Sequence, residues 1–230
     1  MKRMWTTKLA LVWAAAACGC ALATAFAAQA PATIELFNGT SLAGWRAVSA
    51  KPGTAMEAVW SVRDGVIVCK GEPMGYIHTE RHFTNFLLTV EWRWTPGKKP
   101  GNSGVFLRIN GEPKALPRCI ECQLKSGDAG DVYGFHGMKI DGDKARKVEK
   151  KGHELGGDLV GVRKRFRNEN PPGQWNRFEI ELRGGLLKIK VNGTQVNEAV
   201  GCEMTPGPVG LQSEGGEIQF RRVRITPLDS

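Results

Sequence analysis

The stretch Phe178-Glu179-Ile180-Glu181-Leu182-Arg183-Gly184-Gly185-Leu186-Leu187-Lys188-Ile189-Lys190-Val191-Asn192-Gly193 decides the fold class. Phe178, Ile180 and Leu182 alternate with Glu179, Glu181 and Arg183, a period of two that puts apolar side chains on one face of a strand and charges on the other. Gly184-Gly185 turns the chain into Leu187, Ile189 and Val191, and Asn192-Gly193 makes a second tight turn, since both residue types tolerate positive φ. The pattern repeats on either side. Trp60–Val62 and Val66–Cys69 flank the turn Arg63-Asp64-Gly65, and Leu88, Val90, Trp92 and Trp94 oppose Thr89, Glu91 and Arg93. Ile218 and Phe220 are in phase while Val223 and Ile225 are one residue out, so a bulge is expected near Arg221-Arg222 to keep both pairs on the core side. No long amphipathic helix interrupts these short segments, and the chain reads as all-β. Ser126 to Gly173 differs: it is rich in Gly, Asp, Lys and Arg, with charged runs at Lys144–Lys151 and Arg163–Arg167, and is expected to be long loop bordering a ligand cleft.

With 230 residues, 41% of them hydrophobic, the chain can bury a core without a structural metal or disulfides. Met1 to about Ala28 has a basic start, an apolar Leu9–Ala17 stretch and small residues up to Ala25-Phe26-Ala27, the layout of a secretory signal peptide. The expectation is therefore a leader at 1–28, one domain at 29–230 and a periplasmic or extracellular protein without a membrane span. Lipoprotein processing at Cys18 or Cys20 is the lesser reading, because Ala15-Ala16-Ala17 lacks the usual leucine. The formal charge is +9, but Lys2, Arg3 and Lys8 lie in the leader, and the remaining excess argues for solvated basic loops rather than a nucleic-acid surface.

Export leaves Cys69, Cys119, Cys122 and Cys202, an even number that makes a disulfide plausible with three complete pairings open. Cys119-Ile120-Glu121-Cys122 has no second such pair or spaced histidines to complete a zinc site. On a strand, residues three apart point to opposite faces, which argues against a bond between Cys119 and Cys122.

The same parity places Arg108 opposite Leu107 and Ile109, and Glu121 with Gln123 opposite Ile120, Cys122 and Leu124. Three neighbouring strands are thus expected to gather Glu91, Arg93, Arg108, Glu121 and Gln123 on one sheet face. Carboxylate, guanidinium and amide groups on such a face suit a hydroxyl-rich carbohydrate ligand, which needs directional donors and acceptors.

Phe37-Asn38-Gly39, Gly44-Trp45, Trp60-Ser61-Val62, Glu91-Trp92-Arg93, Gly101-Asn102-Ser103-Gly104-Val105-Phe106-Leu107-Arg108, Glu121-Cys122-Gln123, Gly173-Gln174-Trp175-Asn176 and Leu211-Gln212-Ser213-Glu214-Gly215 form an ordered set spanning nearly the whole mature chain. In this set the sequence resembles the 3-keto-disaccharide hydrolase family. The resemblance implies a concanavalin- or glucanase-like jelly-roll β-sandwich of two antiparallel sheets, exported by glycan-degrading bacteria and acting on glycosides already oxidised at C3.

Ordinary glycosidases flank the bond with two carboxyl groups, and no second carboxylate shares the strand face of Glu121. A 3-keto group acidifies the C2 proton, so one general base can remove it and expel the C1 substituent, with water adding afterwards. Glu121 is the first candidate base, with Arg108 or a bound cation stabilising the enolate oxygen; the alternative is a structural Glu121 paired with Arg93 or Arg108. His136, in Tyr133-Gly134-Phe135-His136-Gly137, is the second candidate base, and His153 a weaker one. Glu91, Arg93, Asn102, Gln123 and Tyr133 are expected to bind the 3-keto-glycoside. Asp128, Asp131, Asp141 and Asp143 are candidate ligands for a divalent cation such as Ca²⁺, although Asp141-Gly142-Asp143 lacks the full calcium-loop pattern. Trp175 is expected to be a core residue at a strand entry. A non-catalytic carbohydrate-binding sandwich is the alternative function.

Overall fold

The computed structural model describes Met1 and residues 32–229, so the leader expected at 1–28, with Cys18 and Cys20, lies outside the described residues. Two antiparallel sheets face each other, with strands numbered along the chain. The first contains β1 (Ile34–Glu35), β3 (Trp60–Arg63), β4 (Val66–Cys69), β6 (Phe86–Trp94), β12 (Asn176–Arg183), β13 (Leu186–Val191), β14 (Thr194–Ala199) and β16 (Ile218–Pro227). Its order is β14-β13-β12-β6-β16-β4-β3, with β1 also paired to β16. The second contains β2 (Trp45–Ser49), β5 (Gly75–Thr79), β7 (Gly104–Asn110), β8 (Arg118–Gln123), β9 (Val132–Gly134), β10 (Lys147–His153), β11 (Gly157–Val162) and β15 (Gly210–Ser213), in the order β10-β11-β9-β8-β7-β15-β5-β2. The short helix α1 (Met56–Val59) precedes β3. Among the described residues no helix is long and apolar enough to cross a membrane.

The alternation that fixed the class also fixes the core. Phe86, Leu88, Val90, Trp92 and Trp94 of β6 and Phe178, Ile180 and Leu182 of β12 are buried between the sheets, where they meet Val105, Leu107, Ile120, Cys122 and Leu211. The register of β16 against β6 shifts between Arg221 and Arg224, with Arg222 at φ 50°, which is the expected bulge.

The charged stretch expected to be loop supplies β9, β10 and β11 instead. The outermost of these, β10, buries neither face, so it carries no apolar alternation; its lysines and glutamate suit an edge strand, where charge discourages further pairing. The four described cysteines are buried free thiols, without the disulfide the even count suggested. Cys119 faces an outer apolar cluster and Cys122 the inter-sheet core, as their spacing on one strand requires.

Arg108 corrects another expectation. The register of β7 slips between Leu107 and Asn110, and Arg108 takes a positive φ of 51°. Its side chain is fully buried, with Nε and Nη2 donating to the Thr84 carbonyl at 3.1 and 2.6 Å, Nη2 to Gly184 at 3.0 Å and Nη1 to Glu203 at 2.5 Å. The guanidinium ties three chain segments together and does not pair with Glu121. Arg108→Met leaves three carbonyls without a donor, at about 1–3 kcal/mol each, so a fall in Tm of at least about 6 °C is expected with little change in turnover at 25 °C. An unchanged melting curve with collapsed turnover would instead give Arg108 the enolate-stabilising role.

Candidate active site

The outer face of the second sheet is not simply wet. Tyr76, Phe106, Ile109, Leu116, Cys119 and Phe135 form a second apolar cluster there, and the β10–β11 hairpin folds beside it. A cavity opens on this face, with a floor of Glu121, Gln123 and Gln212 and Asn102 and Glu214 along one side. Tyr133, Leu116, Phe135, His153, Leu155 and Leu159 complete the lining, a few polar groups converging among apolar side chains as in small-molecule sites.

The register explains the floor. Glu121 pairs across to Phe106 and Tyr133, while Gln123 pairs with Gly104, all projecting from the outer face. Gly104 has no side chain because the Glu121 carboxyl occupies that space: a Cβ would stand 2.2 Å from Glu121 Oε1. Gly161 gives way to the Tyr133 ring in the same manner, with 2.6 Å to its Cε1. Glu214 follows β15, whose Leu211 points into the core and Gln212 outward. Asn102 is held beside it by its backbone N–H, which donates to the Gly215 carbonyl at 2.8 Å.

Two carboxyl groups therefore share one cavity: no second carboxylate lies on the strand face of Glu121, as expected, but Glu214, just after β15, supplies one from the end of another strand. Glu121 is 2% exposed, and burial first, then the negative charge of Glu214, pushes its pKa well above the usual carboxylate value. Burial also raises Glu214, but donors from Asn102 and Gln212 pull part of the shift back, the Gln212 amide donating to Oε2 at 2.7 Å. A proton shared by the pair accordingly resides on Glu121 first.

Glu121 Oε1, Asn102 Oδ1 and Gln212 Oε1 are buried without a hydrogen-bond partner. Buried polar atoms are normally satisfied, so three orphans lining one cavity point to a ligand rich in hydroxyls. The cavity continues into an open cleft bordered by Lys99, Lys125, Ser126 and Gly215, with Asn102 and Glu214 lining both halves.

Of the residues expected to act together, Glu121, Gln123, Asn102 and Tyr133 meet here. Glu91 and Arg93 do not, because β6 lies in the opposite sheet from β7 and β8 although it precedes them in sequence. Burial alone would raise the Glu91 carboxyl, but hydrogen bonds from Arg221 at 2.6 Å and Arg222 at 2.9 Å lower it overall. Arg93 donates to Gln219 at 2.8 Å and lies over Trp175, which Arg221 also covers, so Trp175 is a half-buried outer residue rather than core. His136 sits behind the cavity wall, its Nε2 3.0 Å from the Leu116 carbonyl and its backbone N–H donating to Gly156. The four aspartates offered as cation ligands are ion-paired: Asp128 and Asp131 with Lys164, Asp141 with Lys147 and Asp143 with Arg146. Among the described residues no group of three or more His, Cys, Asp and Glu is placed to hold a metal.

Gln212, Glu214, Leu116 and the hairpin residues Leu155 and Leu159 had no assigned role in the sequence reading. For Gln212 the signal was present, since a polar residue between Leu211 and Ser213 on a short strand points outward.

Residues 32–226 match the family model described as a 3-keto-alpha-glucoside-1,2-lyase-like domain. A 3-keto-disaccharide hydrolase of Bacteroides thetaiotaomicron is 22% identical over 243 residues, spanning 85% of this chain and 78% of the relative. A solved protein of Parabacteroides distasonis, described as a glycosyl hydrolase, superposes with a TM-score of 0.61 at 22% identity, over 86% of this chain and 94% of its own. The carbohydrate-binding module CBM66 of Bacillus subtilis gives 0.55 at 15% identity, over 79% and 94%. The β-glucanase of Bacillus licheniformis gives 0.51 at 12%, over 88% and 100%. These structural likenesses establish the jelly-roll sandwich and leave the chemistry to the cavity.

Proposed function

The chain belongs to the 3-keto-alpha-glucoside-1,2-lyase-like domain family, and on that premise we propose that the outer-face cavity cleaves the glycosidic bond of 3-keto-glycosides. The observation that carries this reading is the pairing of buried Glu121 with half-buried Glu214 in one cavity, beside the unsatisfied amide oxygens of Asn102 and Gln212. The keto sugar occupies the enclosed half and the leaving group the open half, which puts the scissile bond beside Glu214 and Asn102. Ionised Glu214 removes the C2 proton. The electron pair delocalises onto the C3 oxygen, then forms the C1–C2 double bond as the C1–O bond breaks, and Glu121 gives its proton to the departing oxygen. Water then adds at C1, losing a proton to Glu121, while Glu214, which has exchanged its proton with solvent through the open half as the leaving group departs, protonates C2. The base role expected of Glu121 thus passes to its neighbour. The same reading takes 1–28 as a cleaved leader and the mature enzyme as periplasmic or extracellular.

Purified protein incubated with a 3-keto-disaccharide is expected to release a monosaccharide and to leave the unoxidised disaccharide intact. Retention of the sugar without release would favour the binding-module alternative.

The buried acid also sets a pH signature. Glu121 ionises near its ordinary value of 4.5 in the unfolded chain and higher in the folded one. Above about pH 4.5 the unfolded chain releases a proton that the folded protein still holds, so this group costs stability as pH rises. Glu121→Gln is expected to melt higher than wild type at pH 7 and to lose less of its Tm between pH 5 and pH 8; a lower Tm at both pH values would mean the carboxylate is structurally paired.

A further inference from the structure

We infer that His153 donates the hydrogen bond that recognises the 3-keto oxygen and stabilises it as it becomes an enolate, an inference that rests on the reading of this cavity as the keto-sugar site. A ketone oxygen only accepts hydrogen bonds, whereas Asn102 Oδ1 and Gln212 Oε1 also only accept. Those atoms satisfy hydroxyls, and the ketone needs a donor elsewhere in the lining. Tyr133 spends its O–H on Asp131 at 3.3 Å, and Gln212 its amide on Glu214.

His153 ends β10, where the register against β11 shifts. Its Nδ1 accepts from the backbone N–H groups of Leu155 at 3.3 Å and Gly156 at 3.1 Å. A neutral imidazole accepting at Nδ1 carries its proton on Nε2, so the turn itself selects the donor tautomer, and among the described residues no group takes that Nε2–H. The hairpin is seated by close packing: a Cβ at Gly156 would meet the Phe135 ring at 2.7 Å, and one at Gly157 would meet His136 Nδ1 at 2.8 Å. His136, which also braces Leu116, is thereby a positioning residue for the hairpin that carries His153.

Gln123 is the competing donor, since its Oε1 accepts from the Leu124 and Lys125 N–H groups at 2.9 and 2.8 Å and leaves its amide N–H₂ free. It lies on the floor of the same cavity, on the same strand face as Glu121 and just before Leu124 and Lys125 in the chain, the latter bordering the open cleft. His153 reaches this cavity from the β10–β11 hairpin, on the side lined by Leu116, Phe135 and Leu159, and apolar neighbours strengthen a hydrogen bond to developing charge.

Calorimetric titration with 3-keto-glucose and with glucose separates the donors, because neither monosaccharide has a glycosidic bond to cleave. Wild type is expected to prefer the ketone, His153→Ala to lose about five- to tenfold of that preference with glucose affinity little changed, and His153→Gln, which keeps an N–H, to retain most of it. On a 3-keto-disaccharide, His153→Ala is expected to lower kcat by about a hundredfold with a smaller change in KM. No ketone preference in wild type, a preference unaltered in His153→Ala, or one lost only in Gln123→Ala would overturn the assignment. A His153-dependent ketone preference in a protein that cleaves no 3-keto-disaccharide would sink the proposed reaction and leave the recognition role standing.

Discussion

Glu214→Gln is expected to lower turnover of a 3-keto-disaccharide by about a hundredfold or more, the usual cost of losing a general base, while substrate binding changes little. The amide keeps the carboxylate's shape but cannot accept the C2 proton. No leaving group relieves this defect, because proton abstraction precedes departure: an aryl 3-keto-glucoside and a 3-keto-disaccharide should lose rate alike. The melting temperature should not fall, since the variant removes a partly buried charge whose pKa burial has raised. Wild-type turnover in Glu214→Gln would show that the residue only lines the cleft.

Glu121→Gln is expected to separate the two substrates. With a sugar leaving group the departing alkoxide needs a proton, and loss of the buried acid should again cost about a hundredfold. An aryl leaving group departs as a stable phenolate, so its release should fall only a few-fold. Equal collapse on both substrates would return the base role to Glu121, the assignment that its place on β8 first suggested. The contrast follows from environment: Glu121 has no donor on Oε1 and is fully enclosed, whereas Glu214 is held by two amides. Two like groups whose surroundings push their protons apart are suited to opposite roles.

How much of this could be read from sequence depended on whether side-chain parity survived the fold. Along β6 and β12 it did, and the inward residues were legible because both strands are regular and central in their sheet. Glu121 and Gln123 were legible for the same reason. At Arg108 the bulge reset the phase and turned an expected surface cation into a buried clasp. Glu91 and Arg93 failed differently: parity placed them on an outer face, but strands adjacent in sequence need not share a sheet in a jelly roll. Glu214 was visible within a motif yet received no role, because only the pairing of β15 with β7 brings it to the cavity that Glu121 enters. The β10–β11 hairpin was hidden by its charge, since a strand with no buried face leaves no hydrophobic period.

Cleavage of a 3-keto-disaccharide in deuterated water, with the early 3-keto product analysed by NMR, tests the central claim most directly. The proposed elimination and hydration places deuterium at C2 in step with release of the monosaccharide, faster than the exchange of a control without enzyme. Release of the monosaccharide with C2 still carrying its original hydrogen would contradict it and assign direct hydrolysis to the same two carboxyls.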